Sequence, residues 1–338
     1  MSFTITLLPS LATFTASPLQ TLLDAALAAN QLVPYSCQEG ECGVCRATLI
    51  EGQVSAEGNA LLTAAEQASG EILICQARAQ SDLRLLVREP ASRQAEAIKP
   101  SYACRLIQKR LVHDVAILEL ALPRQTDFHF QAGQYIDIAC LDGKMRSFSL
   151  ASAPYDLTEK GQIALHIRQQ IGGVFSDYVF NTLKTNDLLR FQGAKGNFVW
   201  QTPAHRSALM LASGTGFAPI FSMIRQRIHE KCDAPITVYW GANVLADLYL
   251  LEEAQALTQQ YPHIRLIPVL SDAPDSDAWT GRRGLVHEAI LADYTDLSQV
   301  DLYACGAPAM VEAAYTALTQ TRQLPSQHFY SDVYVPKK

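Results

Sequence analysis

The stretch Cys37-Gln38-Glu39-Gly40-Glu41-Cys42-Gly43-Val44-Cys45 places three thiols within nine residues, and a fourth, Cys75, follows after a gap of twenty-nine. Four residues separate the first pair and two the second. Such spacing suits a loop that curls around a small inorganic centre, not one face of a helix. Gly40 and Gly43 fit that loop, because they tolerate unusual φ/ψ and let backbone N–H groups point at sulfur.

Four thiolates at this spacing match the plant-type 2Fe-2S pattern, with Cys37, Cys42, Cys45 and Cys75 as ligands to two irons. The alternatives are a disulfide pair, four unrelated core thiols, or zinc. Structural zinc favours paired Cys-x-x-Cys units or added histidines, and no His precedes His113. Three thiols plus a distant fourth, with interleaved glycines, is more restrictive than a lone Cys-x-x-Cys, so an electron carrier is the favoured reading. Cys104, Cys140 and Cys232 read as ordinary buried or surface thiols of a reducing compartment.

At 338 residues the chain is long enough for two or three domains. A net charge of -6 and only paired basic residues, such as Lys109-Arg110 and Arg282-Arg283, argue against nucleic acid as a partner. No apolar run approaches the ~18 residues of a spanning helix, and Met1-Ser2-Phe3-Thr4 lacks the basic start of a signal peptide. The expectation is a cytoplasmic protein with no membrane association.

Residues 3 to 16 alternate as a hairpin, and Ser17-Pro18-Leu19-Gln20 offers an N-cap, an N1 proline and a capping-box Gln for a helix ending near Asn30. Short strands surround the cysteine loop, and the run Ile72-Leu73-Ile74 reads as a strand that delivers Cys75. This is the pattern of a β-grasp ferredoxin module. The polar, proline-bounded segment 89–100 marks a boundary. Six short strands from Tyr102 to Gln192, with a helix after Gly172-Gly173, suggest an antiparallel barrel. From about Thr202 strands alternate with helices, which argues for a parallel sheet covered on both faces. The expected architecture is multidomain α+β and α/β, with domains at 1–92, 100–201 and 202–338.

Four later segments carry the chemistry. Arg146-Ser147-Phe148-Ser149-Leu150-Ala151-Ser152 offers an aromatic face, a hydroxyl and an Arg able to pair with phosphate. His166-Ile167-Arg168 ends a strand, and Gly172-Gly173-Val174-Phe175-Ser176 opens a helix whose N–H groups favour a pyrophosphate. Ser213-Gly214-Thr215-Gly216-Phe217-Ala218-Pro219 lies between a buried strand and a helix, the context of a nucleotide-binding glycine loop. Cys305-Gly306-Ala307-Pro308-Ala309-Met310 repeats that context.

The first of these resembles the Arg-x-Tyr-Ser-x-x-Ser flavin signature of the ferredoxin-NADP reductase superfamily, with Phe148 in place of the usual Tyr. The order of the segments resembles the reductase components of bacterial multicomponent oxygenases, of benzoate or naphthalene dioxygenase reductase type. The resemblance implies that FAD is held by Arg146, Ser147, Phe148, Ser149, His166, Ile167, Arg168, Gly172, Gly173, Val174 and Ser176. It implies that NADH meets Gly214, Thr215, Gly216, Pro219, Cys305, Gly306 and Pro308, with Cys305 beside the nicotinamide carbon that gives up hydride and Ser149 near flavin N5. It also implies that Asp332 and Tyr334, from the terminal strand, approach the flavin. Ser149, Cys305 and Asp332 are thus the expected catalytic group.

The same resemblance implies electron flow from NADH through FAD and the 2Fe-2S cluster to a protein partner, in the first instance a terminal oxygenase of aromatic catabolism. Tyr330-Ser331-Asp332 also resembles reductases that serve deoxysugar dehydratases, so another acceptor protein is an alternative, as is a redox-sensing module without sustained turnover. NADH is favoured over NADPH because Gly241 to Asp247 offers no Arg or Lys for a 2'-phosphate, although Arg282 and Arg283, on another loop, are candidates to reach in.

Overall fold

The structure, a computed structural model, describes residues 2–31, 33–35, 38, 40, 43–55, 61–87, 101–203, 206–274 and 278–333. Cys37, Cys42 and Tyr334 lie outside the described residues, as does the boundary segment 89–100. The chain divides into two compact units whose main spans are Met1–Lys99 and Pro100–Ser331.

In the first unit a sheet runs in the order Thr13–Ala16, Phe3–Leu8, Leu83–Val87, Arg46–Glu51, Glu71–Leu73. Phe3–Leu8 pairs antiparallel with Thr13–Ala16, as the hairpin alternation predicts, and parallel with Leu83–Val87. Alternate residues Ile5, Leu7, Ala47, Leu83 and Leu85 fill one face and pack on Leu22, Leu23, Ala25 and Ala26. That helix is Leu22–Ala28, shorter than expected. Thr21, not Ser17, caps it, accepting a bond from Asp24 N at 3.1 Å. Ser17 only closes a turn onto Leu19 N, which leaves the Leu19 side chain in solvent. The strand expected to carry Cys75 ends at Leu73. Cys75 instead sits in a tight turn where Gln76 N and Ala77 N both donate to Leu73 O.

The second unit opens with a six-stranded antiparallel sheet in the order Met145–Ser149, Tyr135–Ala139, Leu188–Lys195, Ser101–Val112, Val115–Ala121, Gln162–Arg168. An antiparallel bridge from Leu150 to Leu165 joins its two edges, so the sheet closes into a barrel and leaves no open edge there. Leu106, Leu118, Ile136, Leu165, Phe128 and Phe191 fill the interior. The helix Val174–Asn181 matches the one expected after the glycine pair, whereas the helix Pro154–Lys160 was not foreseen.

The parallel sheet follows, ordered Arg282–Arg283, Ile264–Leu270, Ile236–Ala242, Ser207–Ser213, Val300–Gly306, Phe329–Val333. Its central strands are buried on both faces, which is why Ala208 to Ala212 and Asp301 to Cys305 read as unbroken buried runs. Tyr303 ties the barrel exit to this sheet, its hydroxyl accepting bonds from Gln201 N at 2.7 Å and Thr202 N at 3.0 Å. A second tie is the helix Phe217–His229. From it Ser222 donates to Ser152 O at 2.6 Å, and Arg225 grips Asp156 at 2.8 Å. Among the described residues no helix is long and apolar enough to cross a membrane.

Candidate functional site

In the first unit Cys45 follows Gly43 into the sheet and Cys75 follows the turn after Leu73, so two separate loops bring their sulfurs 3.1 Å apart in a buried setting. Gly40 and Gly43 adopt φ of +80° and +70°, the left-handed conformations that the cysteine loop requires. A β-carbon at Gly40 would strike Gln76 at 2.8 Å, and the Gln76 amide reaches Gln38 O at 3.4 Å. Two converging soft donors suit an iron-sulfur centre held by thiolates, of which Cys45 and Cys75 would be two. By contrast, Cys104 and Cys140 belong to the barrel core. Burial pushes the Cys104 thiol up to about 12 and raises that of Cys140 as well.

On the barrel, register places Ser149 opposite Tyr135, Phe148 opposite Ile136, Ser147 opposite Asp137 and Arg146 opposite Ile138. Ser149 is buried, and Ser147 donates to Asp137 at 2.6 Å. Phe148 lies 5.0 Å from Phe175, ring to ring, so the half-buried Phe148 on the strand is backed by the core ring of the helix Val174–Asn181. The Arg146 guanidinium makes a two-pronged pair with Asp142 at 2.9 and 2.7 Å, and this pairing holds the Asp142 carboxyl down to about 2. Both terminal amino groups of Arg146 are thus occupied by a carboxylate, and a phosphate would take this fork only by displacing Asp142.

At the start of that helix Gly172 has φ +73° with open space where a β-carbon would stand, which leaves room for a bulky anion against its backbone. Gly173 is crowded instead, since a β-carbon would meet Ser176 Oγ at 2.6 Å. Ser176 is buried, accepting from Gln170 N at 3.1 Å and reaching Gly173 O at 2.9 Å, so its hydroxyl shapes the turn. Val174 is exposed at the same corner, and Ile167 packs inside the barrel.

The glycine loop runs from Ser213 through a 3-10 turn, Gly214–Gly216, into the helix Phe217–His229, whose first turn buries Pro219. Register sets Ala212 beside Cys305, so the two strand ends emerge together. A β-carbon on Gly216 would fall 2.1 Å from Cys305 O, and one on Gly306 would fall 2.2 Å from Ser213 Oγ. Ser213 Oγ also accepts from Ala307 N at 3.0 Å, one residue before Pro308 begins the next helix. The two loops interlock only because both positions lack side chains. Cys305 is completely buried between them.

Arg168 reaches this loop from the barrel. Its guanidinium carbon would lie 3.5 Å from a β-carbon on Gly214, and it pairs with Asp114 at 3.4 Å and Asp247 at 3.9 Å. The structure thus brings Arg168, Gly214, Gly216, Cys305 and Gly306 together at the carboxyl edge of the parallel sheet, where such sheets bind ligands. Thr215 lies in the same turn, and Asp332 is buried in the last strand. Arg282 and Arg283 are engaged elsewhere, the first by Asp293 and the second by Ala273 O.

Sequence reasoning missed three contributors. Asp142 was invisible because it lies four residues before its partner in a hairpin turn. Trp240 and Tyr249 belong to none of the sequence motifs, yet Trp240 Nε1 donates to Gly214 O at 3.1 Å and Tyr249 bonds His166 Nδ1 at 2.8 Å. The position of Trp240 at the end of a strand neighbouring the glycine loop was the available signal.

The 2Fe-2S iron-sulfur cluster binding domain family matches residues 5–80, the oxidoreductase FAD-binding domain family 103–200 and the oxidoreductase NAD-binding domain family 210–316. The chain is 39% identical to a CDP-6-deoxy-L-threo-D-glycero-4-hexulose-3-dehydrase reductase of Yersinia pseudotuberculosis, over 100% of both chains. It is 34% identical to reductase component 2 of a Comamonas terephthalate 1,2-dioxygenase, over 95% of this chain and 94% of that one. Among solved structures it is similar to the Amycolatopsis cytochrome P450 reductase GcoB, at 28% identity, 99% coverage of both chains and a TM-score of 0.71. The chain therefore belongs to the family of reductase components that join a 2Fe-2S ferredoxin domain to an FAD- and NAD-binding reductase of the ferredoxin-NADP reductase type.

Proposed function

We propose that this chain takes hydride from NADH and hands electrons singly, through FAD and a 2Fe-2S cluster, to a separate acceptor protein in the cytoplasm, a terminal oxygenase. The observation that carries the reading is the junction of the glycine loop, the Cys305 loop and the barrel strand ending at Arg168, in one chain with the converging Cys45 and Cys75 thiols. When bound, FAD supplies the exchange between a hydride pair and single electrons, and the cluster accepts those electrons one at a time.

In this reading Arg146 and the open backbone at Gly172 hold the flavin phosphates, and the Phe148 face packs on the ring system. Ser149 borders the reacting edge, and Asp332 contributes from the last strand. Gly214 to Gly216 receive the dinucleotide phosphates, while Cys305 fixes the depth to which the nicotinamide enters. The protein's work is positioning, so no side chain need act as acid or base in the hydride step. NADH is the favoured donor, since the segment Gly241 to Asp247 itself carries no Arg or Lys, the nearby Arg168 is paired with Asp114 and Asp247, and Arg282 and Arg283 are held by other partners.

A second acceptor has a specific observation in its favour. The full-length 39% match is to a dehydrase reductase, and the segment Tyr330-Ser331-Asp332 pointed to such partners from sequence. Anaerobic titration with NADH, followed by visible absorbance and low-temperature EPR, tests the relay: flavin bleaching with a reduced 2Fe-2S signal is expected. Reduced flavin without that signal, in protein containing iron and sulfide, would sink it. Adding either an oxygenase or a sugar dehydratase from the same genome, and timing cluster reoxidation, decides the acceptor.

A further inference from the structure

We propose that Tyr249 and His166 form a positioning tether that holds the glycine loop in register with the barrel for hydride transfer. The proposal deepens the functional reading above and rests on it. Tyr249 comes from the segment between the strand Ile236–Ala242 and the helix Leu251–Gln260, whereas His166 is on the barrel strand Gln162–Arg168. Tyr249 Oη and His166 Nδ1 are 2.8 Å apart, with the rings edge to face at 5.3 Å and 85°.

The link continues past the pair. The Tyr249 ring stands edge-on to Trp240 at 5.6 Å and 88°. Trp240, with no exposed surface, donates from Nε1 to Gly214 O at 3.1 Å and stacks on Phe217 at 3.9 Å and 10°. Barrel strand, tyrosine, indole and the first glycine of the loop are thus joined by directional contacts without a break. His166 and Arg168 are two apart on one strand and share a face. Arg168 therefore bears on Gly214 directly, and His166 reaches the same residue through Tyr249 and Trp240.

The chemistry keeps the tether constant. Burial pushes His166 down to about 3, and the positive charges of Arg110 and Arg225 act in the same sense. Burial raises the Tyr249 phenol, and Cys305 and Arg168 are both close enough to act on it. Both groups stay neutral across the working pH range, so the bond neither gains nor loses a proton as NADH reacts. Its contribution is geometric, and a small displacement at a hydride-transfer site slows reaction more than it weakens binding.

The test uses the full-length holoprotein with Tyr249→Phe, His166→Ala, the double variant and His166→Asn, whose amide can occupy the place of Nδ1. Each of the first two should slow single-turnover flavin reduction by NADH roughly fivefold, with the Kd for NAD+ unchanged within about twofold. The double variant should be no slower than the singles, and His166→Asn should recover most of the rate. Without nucleotide, amide deuterium exchange at 214–217 should quicken in the first two variants while exchange at Leu83–Val87 does not.

Additive losses of roughly twenty-five-fold, or unchanged exchange at 214–217, would overturn the tether. Weaker NAD+ binding with an intact rate would instead make the pair part of the nucleotide site. If the wild-type flavin were not reduced by NADH, the functional reading would fail, and the exchange data alone would still judge the tether.

Discussion

Gly216 and Cys305 meet backbone to backbone: a β-carbon on Gly216 would lie 2.1 Å from the Cys305 carbonyl oxygen and 2.8 Å from Gly306 Cα. Neither neighbour is a flexible side-chain tip, so the contact cannot relax without moving a strand end. Gly216→Ala should cost roughly 2–4 kcal/mol of stability and, if the two loops it separates receive the nucleotide as proposed, abolish most NADH-dependent flavin reduction. Denaturant melts and stopped-flow flavin reduction check this. An alanine variant with wild-type melting and rate would show that the loops are looser than drawn.

Cys305 itself is completely buried at the end of its strand. Cys305→Ala removes one sulfur and should lower stability by only ~1 kcal/mol. If the thiol sets nicotinamide depth, flavin reduction should fall about tenfold while NAD+ affinity barely changes. Pre-steady-state reduction over a range of NADH concentrations separates the two. A raised apparent Kd with the limiting rate preserved would assign the sulfur to binding.

The Cys45 and Cys75 sulfurs approach to 3.1 Å from two loops, so removing either leaves an incomplete donor set. Cys45→Ala should abolish the reduced-cluster EPR signal and lower bound iron and sulfide together. NADH reduction of ferricyanide, which can draw from flavin, should persist, and cytochrome c reduction should drop by roughly tenfold or more. Retention of full cytochrome c activity without a cluster would place the exit of electrons elsewhere.

These residues also show what the sequence could and could not reveal. The glycine loop and the Cys305 segment were legible because each is a strand-end motif, read from an apolar run followed by glycine or proline. The parallel sheet and barrel followed from periodicity. What stayed hidden depends on distant partners. Tyr249 belongs to no motif, and only folding brings it against His166, 83 positions earlier. Arg146 was read as a phosphate ligand, but its orientation by Asp142 depends on a hairpin turn. The cap at Ser17 was misread for a local reason, since Ser17-Pro18 and Thr21 both carry N-terminal signals and only packing of Leu22 and Leu23 selects the second. The helix Pro154–Lys160 was missed because it is short and flanked by strands.

That helix supplies the clearest pH dependence. Burial alone would raise the Asp156 carboxyl, but Arg225, Lys160 and the Ala153 N–H together hold it below its ordinary value. A carboxylate with a depressed folded-state pKa contributes stability that is fully present above its unfolded pKa of about 3.9 and is lost as pH falls through the folded pKa. Arg225 belongs to the helix Phe217–His229 and Asp156 to the barrel side, so the tie between them should weaken below about pH 4. Asp156→Asn keeps the Ala153 contact but leaves the guanidinium without its carboxylate, and should destabilise the protein by roughly 2 kcal/mol at pH 7, or about 5 °C in Tm. The gap between wild type and variant should begin to narrow near pH 5 and go on narrowing below pH 4, as the pH falls through the depressed folded-state pKa. Parallel curves, with the gap unchanged over that range, would show that the ion pair contributes nothing to the tie and that Ser222 and the apolar contacts hold it alone.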